Sequence, residues 1–230
     1  MNYPGGKNGA GVYQTIINQM PPHLCYVEPF VGSGAVMRHK RPAETNIAID
    51  KDPNVAQLWR DAENVSFSVG CGIDWLERHG PSLDADSLVY CDPTYLMETR
   101  RSQRDLYRFE MSRQDHERLL TIIARLPCRV MISGYWSRLY AEALDRRWRT
   151  VEYQSMTRGG GLATEHLWLN FGPPAALHDY RYLGQDYRER ERIKKKVKRW
   201  AARLAKQPEL EAQALLSALY EVQQTRHHQP

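Results

Sequence analysis

The stretch YVEPFVGSGAVM, residues 26–37, decides how the rest of the chain is read. Tyr26, Val27 and Glu28 close a mostly apolar run that begins at residue 24. Pro29 cannot continue a central strand, because it has no N–H to give to the ladder. A glycine turn follows, and Ala35, Val36 and Met37 open a helical pattern. Strand, glycine turn and helix in that order are also how a nucleotide-binding α/β unit opens, for which a G-x-G alone is weak evidence. Gly32 and Gly34 carry no Cβ, so backbone can approach a ligand closely there. The dinucleotide fingerprint needs another glycine at position 37, for close helix–sheet packing. That position holds Met37, which weakens a nicotinamide reading.

Working outward, the next apolar run, NIAID (46–50), ends in Asp50. A carboxylate at the end of the second strand is placed to hold a ribose hydroxyl pair, and it could equally cap the following helix. Further on, YCDPTYL (90–96) sets a carboxylate, a proline and an aromatic ring directly after another apolar run. Asp92, Pro93, Thr94 and Tyr95 are therefore expected at the carboxyl end of a strand, where open α/β sheets bind ligands. Alone, an Asp-Pro is more often an ordinary turn. The amino-terminal YPGGK (3–7) lacks a phosphate-loop pattern and alone also reads as a turn.

Around these anchors, strand-like runs at 24–28, 46–50, 65–69, 87–91, 129–133, 150–153 and 166–170 alternate with helical patterns at 12–20, 35–40, 54–62, 114–126 and 137–144. That alternation is the α/β signature. With 230 residues, 42% hydrophobic and 26% charged, the chain fits one substantial domain plus an appendage. No apolar run reaches membrane-span length and the chain opens on polar, glycine-rich sequence, so a cytoplasmic protein is expected. Cys25, Cys71, Cys91 and Cys128 show no paired spacing and read as free thiols, without metal.

The formal charge of +5 is uneven. Residues 188–206 hold ten Lys/Arg against two Glu, a net +8, which leaves the remainder near −3. A basic tail on a slightly acidic body points to a polyanionic partner, with a solvated charged helix as the plainer reading. After the GPPAA break at 172–176, Ile193, Val197, Trp200, Ala201 and Leu204 share one helical face, and a second helix starts at Pro208. A hairpin that docks its apolar face is expected. The domains are thus 1–175, catalytic, and 176–230, a basic helical extension.

In their order these stretches resemble the adenine-specific DNA methyltransferases related to DNA adenine methylase and its phage relatives. Tyr3-Pro4-Gly5-Gly6-Lys7 is similar to that family's amino-terminal cofactor motif, Glu28-Pro29-Phe30-Val31-Gly32-Ser33-Gly34 to its glycine loop, and Asp50 to its ribose-binding acid. Asp92-Pro93-Thr94-Tyr95 is similar to its catalytic D-P-P-Y. MISGYWS (131–137) and TEHLWLNF (164–171) resemble its later strands. The resemblance implies a Rossmann-like fold with a mixed seven-stranded sheet and S-adenosylmethionine as cofactor. It places cofactor contacts at Tyr3, Pro4, Gly6, Lys7, Glu28, Pro29, Phe30, Gly32, Gly34, Asp50 and Asp92, and near Gly72, Ile73 and Asp74.

The implied activity is methyl transfer to N6 of an adenine extruded from DNA. The nitrogen is a poor nucleophile because its lone pair is delocalised into the ring. Asp92 and the Pro93 carbonyl can each accept one of its N–H bonds and so aim the lone pair, while Tyr95 stacks on the base. Thr94 replaces the family's second proline, so that proline's fixed φ is lost. Only residues 51–91 separate Asp50 from the catalytic turn, which leaves little room for a recognition domain. DNA contacts are therefore expected from Arg100, Arg101, Arg104 and Arg108 in the polar segment 97–111, and from Lys194, Lys195 and Lys198. Sequence specificity is expected to be short or weak. An RNA adenine methyltransferase and an inactive nucleic-acid-binding relative are the alternatives; monomer and homodimer both remain open.

Overall fold

The computed structural model describes residues 6–9, 11–100, 107–157 and 160–227. All seven expected strands form: β1 (Cys25–Glu28), β2 (Thr45–Asp50), β3 (Ser66–Val69), β4 (Ser87–Cys91), β5 (Arg129–Gly134), β6 (Arg149–Met156) and β7 (Leu162–Leu169). They join in one sheet of order β3-β2-β1-β4-β5-β7-β6. The pairs β3–β2, β2–β1, β1–β4 and β4–β5 are parallel, whereas β5–β7 and β7–β6 are antiparallel. This is the Rossmann-like mixed sheet expected from the sequence. Every residue of β4 is buried, as befits a central parallel strand covered on both faces.

The helices are α1 (Val12–Ile17), α2 (Ala35–His39), α3 (Ala56–Trp59), α4 (Gly72–His79), α5 (Arg113–Ile123) and α6 (Arg138–Ala143). Helix α4 was not among the sequence expectations. Its residues Ile73 and Leu76 are buried while Asp74, Glu77 and Arg78 are exposed, too short an apolar stripe to register as a helical period. Helix α5 begins at a capping box: Ser112 Oγ accepts from Asp115 N at 3.1 Å, and Ser112 N donates to Asp115 Oδ2 at 2.8 Å. It buries His116, Leu119, Leu120 and Ile123, the spacing of a single helical face.

Two buried clusters lie on the two faces of the sheet. One gathers Ile16, Ile17, Met20, Tyr26, Tyr90 and Leu167, the other Val27, Ile49, Val89, Leu119, Ile132 and Trp168. Full burial of each large apolar side chain contributes roughly 1.5–3 kcal/mol.

The chain divides into compact units after Tyr182, seven residues beyond the expected boundary. The segment 176–182 belongs with the sheet, because Asp179 is buried and its Oδ2 accepts from Arg41 N at 2.8 Å. The Tyr182 carbonyl accepts from Asn18 Nδ2 at 2.6 Å. The second unit consists of α7 (Tyr187–Leu204) and α8 (Glu209–His227). Asp186 caps α7 by accepting from Glu189 N at 2.8 Å. The two helices form as expected, and Val197 and Trp200 on α7, and Leu215, Leu216 and Leu219 on α8, are exposed. Among the described residues no helix is long and apolar enough to cross a membrane.

Candidate active site

The order of the sheet reverses between β1 and β4, so a crevice opens outside their carboxyl ends. Glu28 ends β1 and Asp92 follows β4. Both line an open cleft, together with Lys7, the glycine loop 30–36, Asp50, the start of α4 and the segment 107–111.

The glycine loop is tied to β2. Val31 N donates to the Ile49 carbonyl at 3.0 Å, and Gly32 N donates to Asp50 Oδ2 at 2.7 Å. Gly34 adopts φ +64°, and a Cβ there would lie 2.2 Å from the Trp59 ring. That ring is itself fixed, since Trp59 Nε1 donates to the Gly32 carbonyl at 3.0 Å and the Arg38 guanidinium lies 4.3 Å from its centroid. Glycine at 34 is thus required twice, by backbone conformation and by space. Asp50 Oδ1 accepts from Asp52 N at 2.9 Å. Burial raises the Asp50 carboxyl above the usual range, and the backbone N–H groups partly oppose that rise. A carboxylate has about four lone-pair sites, so Asp50 can hold the loop and still accept from a ligand in the cleft.

At the other end of the cleft, six polar side chains form a largely buried network. The Lys7 Nζ sits 2.7 Å from Asp92 Oδ1 and 3.5 Å from Glu165 Oε2, and donates to the Tyr95 hydroxyl at 2.8 Å. Tyr95 donates in turn to Glu165, which also accepts from Tyr153 at 2.8 Å and from Ser155. Side-chain exposure is 6% for Lys7, 17% for Asp92 and 7% for Glu165. Burial lifts the Asp92 carboxyl to about 6; the neighbouring Lys7 ammonium opposes that rise and Glu165 adds to it. Burial would also raise Glu165, yet Lys7 and the surrounding hydroxyls hold it below its ordinary value. For Lys7, burial favours loss of the proton, but the two carboxylates overcome it and the ammonium is held upward. Burial and the nearby Asp92 charge push Glu28 well up, and its Oε2 has no hydrogen-bond partner among the described residues.

The structure therefore brings Gly6, Lys7, Glu28, Phe30, Gly32, Gly34, Asp50, Ile73, Asp92, Pro93, Thr94 and Tyr95 around one cleft. Others stand apart. Pro29 lies behind the loop, its carbonyl against Gly72, where a Cβ would come within 2.0 Å. Asp74 faces outward from α4 and pairs with Arg118 at 2.9 Å, which corrects its expected place beside a cofactor. Arg100 also departs from expectation: its side chain is 6% exposed and donates twice to Glu110, at 2.8 and 2.7 Å, so it braces the segment instead of facing phosphate. Arg108 is exposed at the cleft wall, with Nη1 3.6 Å from Asp52 Oδ1. Tyr3, Pro4, Arg101 and Arg104 lie outside the described residues. On α7, Lys195 and Lys198 are exposed, and exposed Lys194 sits 3.7 Å from Glu191.

Thr94 has a task that proline could not perform, since its Oγ1 accepts from Met111 N at 3.0 Å and ties the 107–111 wall to the turn at 92–95. Glu165, Tyr153 and Ser155 were not foreseen. A signal for Glu165 exists in the alternation of TEHLWLNF. Glu165 shares its face with buried Leu167 and Leu169, and a charged residue on the buried face of a strand calls for a partner.

A search of curated proteins found no match. The family model described as D12 class N6 adenine-specific DNA methyltransferase matches residues 3–74, which bears out the expected family resemblance over that stretch. Among solved structures, similar chains include a SAM-dependent methyltransferase from Agrobacterium tumefaciens (9% identity, 69% of this chain and 60% of that one, TM-score 0.43). TrmN from Thermus thermophilus is another (15%, 69% and 47%, 0.47), as is an rRNA methylase from Streptococcus thermophilus (15%, 68% and 91%, 0.43). The chain thus spans less than two thirds of the length of the first two.

S-adenosylmethionine is the cofactor implied by the matched family, and the cleft's donor set fits it. Asp50 offers lone pairs for a hydroxyl pair beside a glycine loop whose backbone is open to close approach. Phe30 and Ile73 supply apolar wall for a base. The unpartnered Glu28 Oε2 offers an acceptor for an ammonium group.

Proposed function

We propose that the chain is an S-adenosylmethionine-dependent methyltransferase acting on the exocyclic N6 of adenine in DNA, with short or weak sequence specificity. One observation carries this reading. Asp92 and Pro93, the pair able to accept both N–H bonds of an exocyclic amine, line the same cleft as the glycine loop and Asp50. A donor held at one end and a base held at the other would meet there.

Bound S-adenosylmethionine supplies an electrophilic methyl group on a sulfonium centre. The residues of this chain that would hold it are Asp50, Glu28, the loop at Gly32 and Gly34, and the apolar faces of Phe30 and Ile73. Asp92 is ionised above about pH 6, so at neutral pH it accepts one N–H of the amine while the Pro93 carbonyl accepts the other. That pair orients the nitrogen lone pair and offsets the charge that develops on it. Tyr95 is held by its hydroxyl between Lys7 and Glu165, and its ring packs against Tyr135 in a T-shaped pair with centroids 4.7 Å apart. The fixed ring is a platform on which an extruded base can stack.

DNA is the partner favoured by the family match at residues 3–74 and by the exposed basic face of α7. Weak specificity is supported by the interval 51–91, which is filled by α3, β3 and α4, all of them parts of the sheet unit. Phosphate contacts from lysines and arginines position a protein without reading bases. Transfer of labelled methyl from S-adenosylmethionine to duplex DNA, single-stranded DNA and RNA, assayed side by side, tests the reading. Label in DNA is expected, and label confined to RNA would replace DNA with RNA as substrate.

A further inference from the structure

We infer that Glu165 is a positioning residue that serves as the standing counter-ion of Lys7, leaving Asp92 free to take up and release a proton during turnover. The inference rests on the reading that Asp92 contacts the reacting amine, and it assigns a role to a strand β7 residue outside the catalytic turn. When the amine nitrogen has gained its new substituent it bears an extra proton. An N–H bond then breaks with its electron pair remaining on nitrogen, and the proton joins an oxygen of Asp92. At that moment Asp92 becomes neutral.

If Asp92 were the sole partner of Lys7, its protonation would strand a buried ammonium without a counter-charge, a strongly unfavourable arrangement. The geometry provides otherwise. Lys7 Nζ lies 2.7 Å from Asp92 and 3.5 Å from Glu165, so one ammonium stands between two carboxylates. Glu165 is held in its ionised form by donors from three side chains, Tyr95, Tyr153 and Ser155. It reaches the catalytic edge because β7 runs antiparallel to β5. Gly134, the last residue of β5, faces His166, so Glu165 stands one residue beyond the end of β5, level with the catalytic turn.

The same arrangement sets the charge on Asp92 from two sides. Lys7 favours the carboxylate, and Glu165 disfavours it by like-charge repulsion. Of the other groups facing Asp92, the phenols and the nearby thiol stay neutral at neutral pH, and Glu28 is a second carboxyl. The phenols of Tyr26, Tyr90, Tyr95, Tyr107, Tyr140 and Tyr153 are all pushed upward by burial, as is the Cys91 thiol. Glu28 on β1 is also pushed well up by burial and by Asp92 itself. Removing the charge of Glu165 therefore makes Lys7 bind Asp92 alone, and Asp92 becomes a weaker proton acceptor.

The test compares wild type, Glu165→Gln and Glu165→Asp in the full chain, with two readouts. Carbon-13 NMR of the side-chain carboxyls, with Asp92 assigned by loss of its signal in Asp92→Asn, follows its titration without any substrate. The acid limb of the pH–rate profile follows it during methyl transfer to duplex DNA. In Glu165→Gln the Asp92 midpoint and the acid limb are both expected to move down by about one unit, with the plateau rate lowered. Glu165→Asp restores the midpoint. A purely structural role would lower the rate in both variants and leave the midpoint in place, which would overturn the inference. The expected NMR shift in Glu165→Gln together with wild-type protein that transfers no methyl to DNA would instead overturn the functional reading while leaving the charge arrangement intact.

Discussion

Replacing Lys7 with methionine removes the ammonium while keeping most of the side chain's length. Asp92 and Glu165, both mostly buried, would then share the site without the cation that now stands between them. Breaking a buried ion pair by deleting one partner costs about 3–5 kcal/mol. The sign with pH comes from the shifts. Asp92 titrates near 6 in the folded chain, above its ordinary 3.8, so its ionisation already opposes folding as pH rises through that window. Glu165 is held low by Lys7 and its hydroxyl donors; it stabilises the fold above its ordinary value, and that contribution is lost as pH falls through the depressed one. Without Lys7 both carboxyls move up, and the loss of stability grows with pH. Urea unfolding at pH 5 and pH 8 is the assay. Near pH 8 the variant is expected to lose about 3–5 kcal/mol, and at pH 5 well under half as much, because the carboxyls can take up protons there. The acid limb of any residual methyl transfer should move above about pH 6. An equal loss at both pH values, or a smaller one at pH 8, would refute the assignment of Lys7 as counter-ion.

Asp92→Ala should abolish methyl transfer with the protein still folded, as read by turnover and circular dichroism; retention of more than a few per cent of turnover would contradict the mechanism. Gly34→Ala places a methyl against the Trp59 ring and forces a left-handed conformation at roughly 1–2 kcal/mol, with about 0.5–1.5 kcal/mol more if the Trp59–Gly32 hydrogen bond is lost. A melting temperature lower by several degrees and weaker S-adenosylmethionine binding in calorimetry are expected. Neutralising Lys194, Lys195 and Lys198 together should reduce the salt slope of DNA binding by up to about 3, roughly one for each lysine–phosphate pairing removed; an unchanged slope would mean that α7 is only a solvated helix.

Much of the frame was legible because strands in a doubly covered sheet carry a strong local signal. Runs such as VYCDP and NIAID contain their own stop, and the glycine turn at 32–34 announces both a helix and a close approach. The cleft residues from Lys7 to Tyr95 follow from motif order. What sequence reading lost depends on tertiary pairing. Asp74 sits one residue past Ile73, which lines the cleft, yet the turn of α4 carries it outward to Arg118. Arg100 resembles a phosphate ligand until Glu110, ten residues on, is found folded against it. Glu165 is linked to Lys7 across nearly the whole sheet unit, and no spacing rule spans that distance.

Digestion of methylated DNA to nucleosides, followed by mass spectrometry, reads the chemistry most directly. Duplex DNA treated with this protein and isotopically labelled S-adenosylmethionine should yield labelled N6-methyldeoxyadenosine, and none with Asp92→Ala. Label on cytosine, or labelled N6-methyldeoxyadenosine formed equally well by the Asp92→Ala variant, would contradict the placement of an adenine amine between Asp92 and Pro93.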